Sequence, residues 1–113
     1  MSDVIDGTTF FEAEVLRWRE KKLQAEALKL AKILGWTHAY HSFFSDRSEA
    51  GYPDVHLLRP ATKESIYIEF KTMKGKLSAA QESWRDALLA CGQRWYKWRP
   101  CCWNSGEIER VLK

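Results

Sequence analysis

Hydrophobic residues recur with two different spacings along this chain of 113 residues. Between Thr9 and Leu34 they are separated by three or four positions, which is the spacing of one helix face. The apolar stripe consists of Leu16, Leu23, Ala27, Leu30 and Leu34. Thr9 and Glu12 match a capping box, and Gly35 suits a helix C-terminus. The pattern predicts a helix over residues 9–34, and its length leaves room for a break.

After residue 35 the spacing changes to the alternation that is typical of strands. Strands are predicted at "WTHAYHSFF" (36–44), "DVHLLR" (54–59), "SIYIEFK" (65–71) and "QRWYKWR" (93–99). A second capping box, from Ser78 to Gln81, starts a helix that ends near Gly92. Pro100 stops the fourth strand, and "GEIERVLK" predicts a short C-terminal helix. The order αβββαβ plus that helix predicts an α/β domain with a central sheet flanked by helices.

Length and composition describe one globular domain, with 45% hydrophobic and 29% charged residues. No apolar run approaches the roughly 20 residues of a membrane span. The N-terminus lacks the basic start and apolar stretch of a signal peptide. We therefore predict an intracellular, cytoplasmic protein. Three cysteines, two of them adjacent, favour reduced thiols over a disulfide framework or a cysteine zinc site.

The charge is distributed unevenly along the chain. Residues 1–57 carry 7 Lys and Arg against 9 Asp and Glu, whereas residues 58–113 carry 11 against 6. The basic excess is made up of Lys71, Lys74, Lys76, Arg94, Lys97 and Arg99. A basic region beside an acidic one suits a protein that holds a polyanion near a carboxylate-bound cation. Solvated surface charge explains the same counts without any partner.

Acidic residues occur at positions that suit a metal site. Glu20 falls on the apolar line of the first helix, three positions before Leu23, which predicts an inward carboxylate. A Glu at the edge of the helix that reaches solvent is the alternative. Asp54 begins a predicted strand, directly after the rigid Pro53. Glu69 lies on the adjoining predicted strand, so the two strands can bring carboxylates together.

Glu69 and Lys71 share one face of their strand, roughly 7 Å apart. Mg²⁺ and Mn²⁺ prefer hard oxygen ligands, which Asp54, Glu69 and the nearby backbone carbonyl of Phe70 can supply. Lys71 can orient a water molecule or stabilise charge on a phosphate. An exposed Glu69–Lys71 ion pair is the simpler interpretation. Likewise Gln81 can serve only as a helix cap, and one side chain is not expected to cap and reach the metal site as well.

Four motifs together resemble a known family. They are "EKKLQ" (20–24), "GYPD" (51–54), "EFK" (69–71) and "KGKLSAAQ" (74–81), in the order and with the spacing of the virus-type replication-repair nuclease (VRR-NUC) domain. That family is part of the PD-(D/E)xK nuclease superfamily. The resemblance covers roughly residues 16–112. It implies a restriction-endonuclease-like core, with residues 1–12 as a variable extension and residues 13–113 as a single nuclease domain.

The resemblance also implies an activity. A short stand-alone member of phage or bacterial type would be a Mg²⁺- or Mn²⁺-dependent DNA endonuclease, acting as a homodimer on branched DNA like a Holliday-junction resolvase in DNA repair. Asp54, Glu69 and the Phe70 carbonyl would bind metal, with Glu20 completing or supporting the site. Lys71 would be the catalytic lysine and Gln81 a polar residue lining the site. The alternatives are a nuclease directed to flaps or ends, a partner-dependent nuclease, or a non-catalytic structure-selective DNA-binding module.

Several residues are candidates for contact with DNA. Lys74 and Lys76 flank Gly75 in the loop after Lys71, where contact with backbone phosphates is expected. The other candidates are Arg47, Gln24 and His41. The segment "RWYKWR" can stack bases, but an amphipathic strand that closes the sheet, with its rings packed on the two helices, is the favoured interpretation. Trp95 and Trp98 point to opposite faces, so at most one of them is expected to contact DNA. No residue pattern indicates recognition of a base sequence.

Overall fold

The computed structural model describes residues 4–5, 8–42 and 49–113. A short hairpin of β1 (Val4–Ile5) and β2 (Thr8–Thr9) precedes the helices α1 (Phe10–Leu16) and α2 (Glu20–Ile33). The strands of the main sheet are β3 (His38–His41), β4 (Val55–Arg59), β5 (Glu64–Phe70) and β6 (Arg94–Trp98). The remaining helices are α3 (Ala79–Ala90), α4 (Pro100–Asn104) and α5 (Glu107–Leu112). No described helix has the length and apolar character needed to span a bilayer.

The predicted first helix is two helices. Its N-terminal capping box is confirmed, because the Thr9 side chain accepts from the Glu12 amide at 3.1 Å and the Glu12 carboxylate accepts from the Thr9 amide at 3.2 Å. The break falls at Arg17–Arg19, where Arg19 is extended and serves as the N-cap of α2. Trp18, within the break, packs on Trp103 of α4. The break makes Glu20 the first residue of α2.

The main sheet is mixed, with the strand order β3-β4-β5-β6. β3, β4 and β5 are antiparallel neighbours, and β6 is parallel to β5. The crossover from β5 to β6 contains α3, as a parallel connection requires. The mixed α/β sheet flanked by helices is therefore as predicted. The described part of β3 is shorter than the predicted strand, whose last residues lie outside the described ranges.

One face of the sheet carries the hydrophobic core. Alternate residues of β4, β5 and β6 pack there against α2 and α5, and the main contributors are Leu23, Ala27, Ala31, Val55, Leu57, Ile66, Ile68, Phe70, Trp98, Ile108 and Leu112. The alternation predicted for Ile66, Ile68 and Phe70 is confirmed. The stripe of α2 is rotated slightly from the prediction, since Ala31 is fully buried and Leu30 only partly.

The opposite face is covered by α3, which has no fully buried residue. There Trp84 of α3 packs edge-on against Tyr52, with the ring centroids 5.0 Å apart. Tyr52 packs in the same way against Tyr67 of β5, with the ring centroids 6.4 Å apart. Pro100 ends β6 as predicted, and it also occupies the first position of α4, a helix that the sequence pattern did not indicate. The C-terminal helix is confirmed as α5, and Arg59 anchors it by donating to the Leu112 carbonyl at 2.9 Å.

Candidate active site

Asp54 and Glu69 lie opposite each other at one end of the sheet. β4 and β5 are antiparallel with Val55 paired to Ile68, so the residue before Val55 faces the residue after Ile68. Oδ2 of Asp54 accepts a hydrogen bond from the backbone N–H of Phe70 at 2.8 Å. This bond orients the Asp54 carboxylate across the strand end, next to that of Glu69. The two carboxylates that the motifs suggested are therefore brought together.

Glu69 is buried, with 2% of its surface exposed. Its Oε1 accepts a hydrogen bond from Nε2 of Gln81 at 3.1 Å, whereas no described residue donates to its Oε2. A buried carboxylate oxygen without a donor is costly unless a cation or a proton satisfies it. The interpretation of Glu69 and Lys71 as an exposed ion pair is therefore wrong. Among the described residues, no Lys or Arg forms an ion pair with Glu69.

The environment of Glu69 disfavours its negative charge. Burial raises the pKa of Glu69 to about 9, and hydrogen bonding to Asp54 and the charge of Asp54 act in the same direction. The charge of Glu20 adds to this rise, while that of Lys71 opposes it. Ionising both of two facing carboxylates is unfavourable where solvent is largely excluded, so a bound proton or cation would stabilise this pair.

Gln81 performs two tasks that sequence reasoning treated as alternatives. Its Oε1 accepts from the Ser78 amide at 2.8 Å and thereby closes the capping box of α3. Its Nε2 donates to Glu69 from the other end of the same amide. The expectation that one side chain would not do both was wrong, because the oxygen and nitrogen of the amide point in different directions.

Gly51 has a structural role that the motif alone did not reveal. Its φ is +81°, and a Cβ at this position would overlap the carbonyl group of Ala80 and lie 2.7 Å from the backbone nitrogen of Gln81. The loop that leads to Asp54 therefore runs directly against the first turn of α3. Only glycine permits both the left-handed conformation and this approach. The contact ties the position of Asp54 to that of Gln81.

Ser42 holds the same loop from the other side. Its amide donates to the Asp54 carbonyl at 2.9 Å, and its hydroxyl donates to the Pro53 carbonyl at 2.7 Å. These bonds extend the β3–β4 ladder by one residue and fix the backbone of Asp54. Nothing in the sequence distinguishes Ser42 from other serines, so this residue was missed.

Glu20 and Gln24 lie one turn apart on α2. Glu20 is half-buried, and its charge acts on Glu69. Gln24 Nε2 lies 3.2 Å from Nδ1 of His41, so two of the candidate DNA-contact residues meet each other at the end of β3. In the described part of the chain, no three His, Cys, Asp or Glu side chains form a metal-binding group. Glu20 nevertheless lies close enough to the carboxylate pair for its charge to act on Glu69.

Lys71 directly follows β5, and its amide donates to the Trp98 carbonyl at 2.9 Å. The loop after it exposes Lys74 and Lys76, as a phosphate contact requires. Arg47 lies outside the described residues. On β6, Trp98 is fully buried and packs on Phe70, which excludes it from stacking on bases.

The donor set of the pair fits a hard divalent cation. Asp54 and Glu69 offer carboxylate oxygens as ligands, and one of them, Oε2 of Glu69, is buried and accepts no hydrogen bond from a described residue. Mg²⁺ is commonly held by one or two carboxylates, with water and substrate phosphate completing its shell. A site with two carboxylates is therefore sufficient for such an ion, with the Phe70 carbonyl at the same strand end as a further oxygen.

Comparison with known proteins agrees with the resemblance. A family model described as the VRR-NUC domain matches residues 6–97, which is well over half of the chain. The matched range includes all the motif residues, from Glu20 to Gln81. No curated protein and no solved structure matches the chain. With its motifs, its mixed sheet and its paired carboxylates in place, this chain belongs to the VRR-NUC family.

Proposed function

We propose that this protein is a divalent-metal-dependent DNA endonuclease that hydrolyses phosphodiester bonds, with Asp54 and Glu69 as ligands of Mg²⁺ or Mn²⁺. Membership of the VRR-NUC family implies a nuclease-type function on DNA. The observation that supports the metal is the buried Oε2 of Glu69, which has no described donor and adjoins the Asp54 carboxylate. A divalent cation held by these two carboxylates would offset their negative charge.

The residues around the pair fit distinct tasks in phosphodiester hydrolysis. When bound, Mg²⁺ or Mn²⁺ would polarise the phosphate and make a water molecule easier to deprotonate at neutral pH. Gln81 holds Oε1 of Glu69 and leaves Oε2 directed at the site. The Phe70 amide orients Asp54. Lys71 carries a positive charge beside the pair and stabilises the negative charge that develops on the phosphate.

Glu20 and the exposed lysines complete the proposal. Glu20, half-buried near the pair, completes or supports the metal site. Lys74 and Lys76 contact the DNA backbone, with Gln24 and His41 at the neighbouring strand end. Binding through phosphates predicts affinity that falls steeply with salt and little dependence on base sequence.

We further propose that the domain has a PD-(D/E)xK core and that the protein acts on branched DNA as a homodimer, like a Holliday-junction resolvase. Two sites related by a two-fold axis would cut opposing strands of a junction symmetrically. The basis for this assignment is the family resemblance. A nuclease directed to flaps or ends, or one that needs a partner, would use the same site. Cleavage assays on different DNA substrates distinguish these alternatives from a junction resolvase. A non-catalytic DNA-binding module is disfavoured, because buried carboxylates facing a phosphate backbone weaken binding unless a cation is present.

The test is cleavage of an end-labelled four-way junction, a flap and a linear duplex with Mg²⁺, with Mn²⁺ and with EDTA. Asp54→Asn removes one proposed ligand, and Glu82→Gln removes an exposed carboxylate next to Gln81 as a matched control. Paired symmetric cuts in the junction that need metal, survive in Glu82→Gln and vanish in Asp54→Asn would support the whole proposal.

Other outcomes would support one part of the proposal and overturn another. Cutting confined to flaps or ends would keep the metal site and overturn the resolvase assignment. Tight junction binding without cutting of any substrate, unchanged by Asp54→Asn, would indicate a binding module. Sedimentation velocity of the protein alone and with junction DNA tests the dimer separately.

A further inference from the structure

Arg99 makes an unusual set of contacts immediately after β6. Its Nη1 donates to the carbonyls of Thr72 at 2.6 Å, Gly75 at 2.6 Å and Met73 at 3.3 Å. All three carbonyls belong to the turn that follows Lys71. One guanidinium nitrogen therefore hydrogen-bonds to three carbonyls of the same turn.

The turn lies against the Lys71 side chain. A Cβ placed on Gly75 would be 3.4 Å from Cδ of Lys71 and 3.1 Å from Oγ1 of Thr72. The Gly75 amide donates to Oγ1 of Thr72 at 3.1 Å, which closes the turn on itself. The backbone at Gly75 therefore lies next to the Lys71 stem, within the turn that Arg99 holds in place.

A second link connects the same two segments. The Lys71 amide donates to the Trp98 carbonyl at 2.9 Å, so the parallel β5–β6 pairing continues to the residue before Arg99. Thr72 to Gly75 are therefore anchored at one end by the sheet and over their length by the guanidinium. Hydrogen bonds from a charged donor are roughly twice as strong as neutral ones, which suits a half-buried position.

We propose that Arg99 is a positioning residue of the nuclease site, which holds the Thr72–Gly75 turn against Lys71 and so directs the lysine ammonium at the paired carboxylates. This inference rests on the proposed function. It assigns Arg99 to the rate of phosphodiester cleavage rather than to DNA affinity. A misplacement of about 1 Å at a catalytic group is sufficient to lower a rate by about 100-fold.

The experiment compares wild type, Arg99→Met and Arg99→Lys on the DNA that wild type cuts best, in single turnover with saturating protein and metal. Arg110→Met is the matched control, because Arg110 also donates from Nη1 to a backbone carbonyl, that of Ser105, on the C-terminal segment. DNA dissociation constants are measured in parallel with Ca²⁺, and thermal unfolding checks the fold.

We expect Arg99→Met to cut about 10- to 100-fold more slowly at saturation, with a change of less than about 5-fold in affinity. Arg99→Lys keeps the charge and a nitrogen with three donors, but its side chain is one bond shorter, so an intermediate rate is expected. This variant also carries the test if Arg99→Met fails to fold. Arg110→Met should cut at the wild-type rate.

Two results would overturn the proposal separately from the proposed function. If wild type cuts and Arg99→Met cuts equally fast at saturation, Arg99 does not position the site. If the whole loss is in affinity, Arg99 is a phosphate contact instead. Failure of wild type to cut any substrate with either metal would overturn the proposed function itself, and the role of Arg99 in cleavage with it.

Discussion

Gln81 donates a hydrogen bond to the buried carboxylate of Glu69 across 3.1 Å while its own oxygen accepts from Ser78. This arrangement joins the start of α3 to the end of β5. A helix cap is a local interaction, whereas the bond to Glu69 connects residues 12 positions apart. The two functions can be separated by substitutions that keep one and remove the other.

Gln81→Glu should preserve the cap and impair the site. A Glu at this position of a capping box accepts from the N-cap amide as well as Gln does. It cannot donate to Glu69, however, and its negative charge should raise the pKa of Glu69 further. We expect a cleavage rate at least about 10-fold lower at pH 7 and some loss of stability from the unpaired Oε1 of Glu69, but no further loss from the cap. The measurements are single-turnover cleavage and thermal unfolding.

Gln81→Ala provides the comparison for that variant. It removes both hydrogen bonds of the Gln81 side-chain amide, to Ser78 and to Glu69, while the Ser78 hydroxyl still accepts from the backbone amide of residue 81. The lost half of the capping box should add at most about 1 kcal/mol to the destabilisation. This variant should therefore lose stability as well as activity. Wild-type cleavage by Gln81→Glu would show that the bond to Glu69 has no role in the reaction.

The metal-free protein should become less stable as the pH rises from about 5 to about 9. The pKa of Glu69 is raised to about 9 by burial and by Asp54. Between its unfolded and folded pKa values the folded state binds one proton more than the unfolded state. The free energy of unfolding therefore falls with rising pH, by at most about 1.4 kcal/mol per pH unit from this group. Denaturant unfolding in EDTA across this range measures the slope.

Added Mg²⁺ and the substitution Asp54→Asn should each reduce the stability that is lost as the pH rises. Mg²⁺ replaces the proton and stabilises the folded state by mass action. Asp54→Asn removes the facing charge, so it should raise the metal-free stability at pH 8 while abolishing cleavage. A loss of stability in Asp54→Asn that continues to the same upper pH as in wild type would contradict the carboxylate pairing.

Gly51→Ala should damage both the fold and the site. Its Cβ would overlap the Ala80 carbonyl, and φ is +81°. Gly92→Ala is a matched control, since Gly92 has φ +75° but no atom within 4 Å of an added Cβ. The control should cost about 1–2 kcal/mol from the backbone alone. A larger loss in Gly51→Ala, accompanied by weaker cleavage, isolates the contact with α3.

Glu64 should make the protein sensitive to acid. Hydrogen bonds from Thr62, Arg94 and Arg59 lower the pKa of Glu64 to about 2. Because the folded pKa is depressed, this stabilisation is present above the unfolded pKa and is lost as the pH falls from about 4.5 to about 2. Glu64→Gln should be less stable than wild type at pH 7, and the difference should shrink toward pH 2. A difference that stays constant across this range would contradict the assignment.

Local patterns were sufficient for most of the secondary structure. The caps at Thr9 and Ser78 and the alternation of β5 depend on neighbouring residues, and the structure confirms them. The break before Glu20, in contrast, coincides with a contact between residues that are distant in sequence. Arg17–Arg19 contains neither Gly nor Pro, and the break accompanies the packing of Trp18 on Trp103, which is distant in sequence. The helix at Pro100 was missed because proline marks both the end of a strand and the start of a helix.

The sequence by itself determined the order of the elements, the acidic and basic motif residues, and through them the family. These depend on local periodicity, capping and motif spacing. Only the tertiary structure decided that Glu69 is buried, that Gln81 bonds to it, that Gly51 touches Ala80, and that Arg99 holds the turn after Lys71. The reason is physical, because alternation shows which residues share a face, whereas burial depends on which distant segments pack over that face.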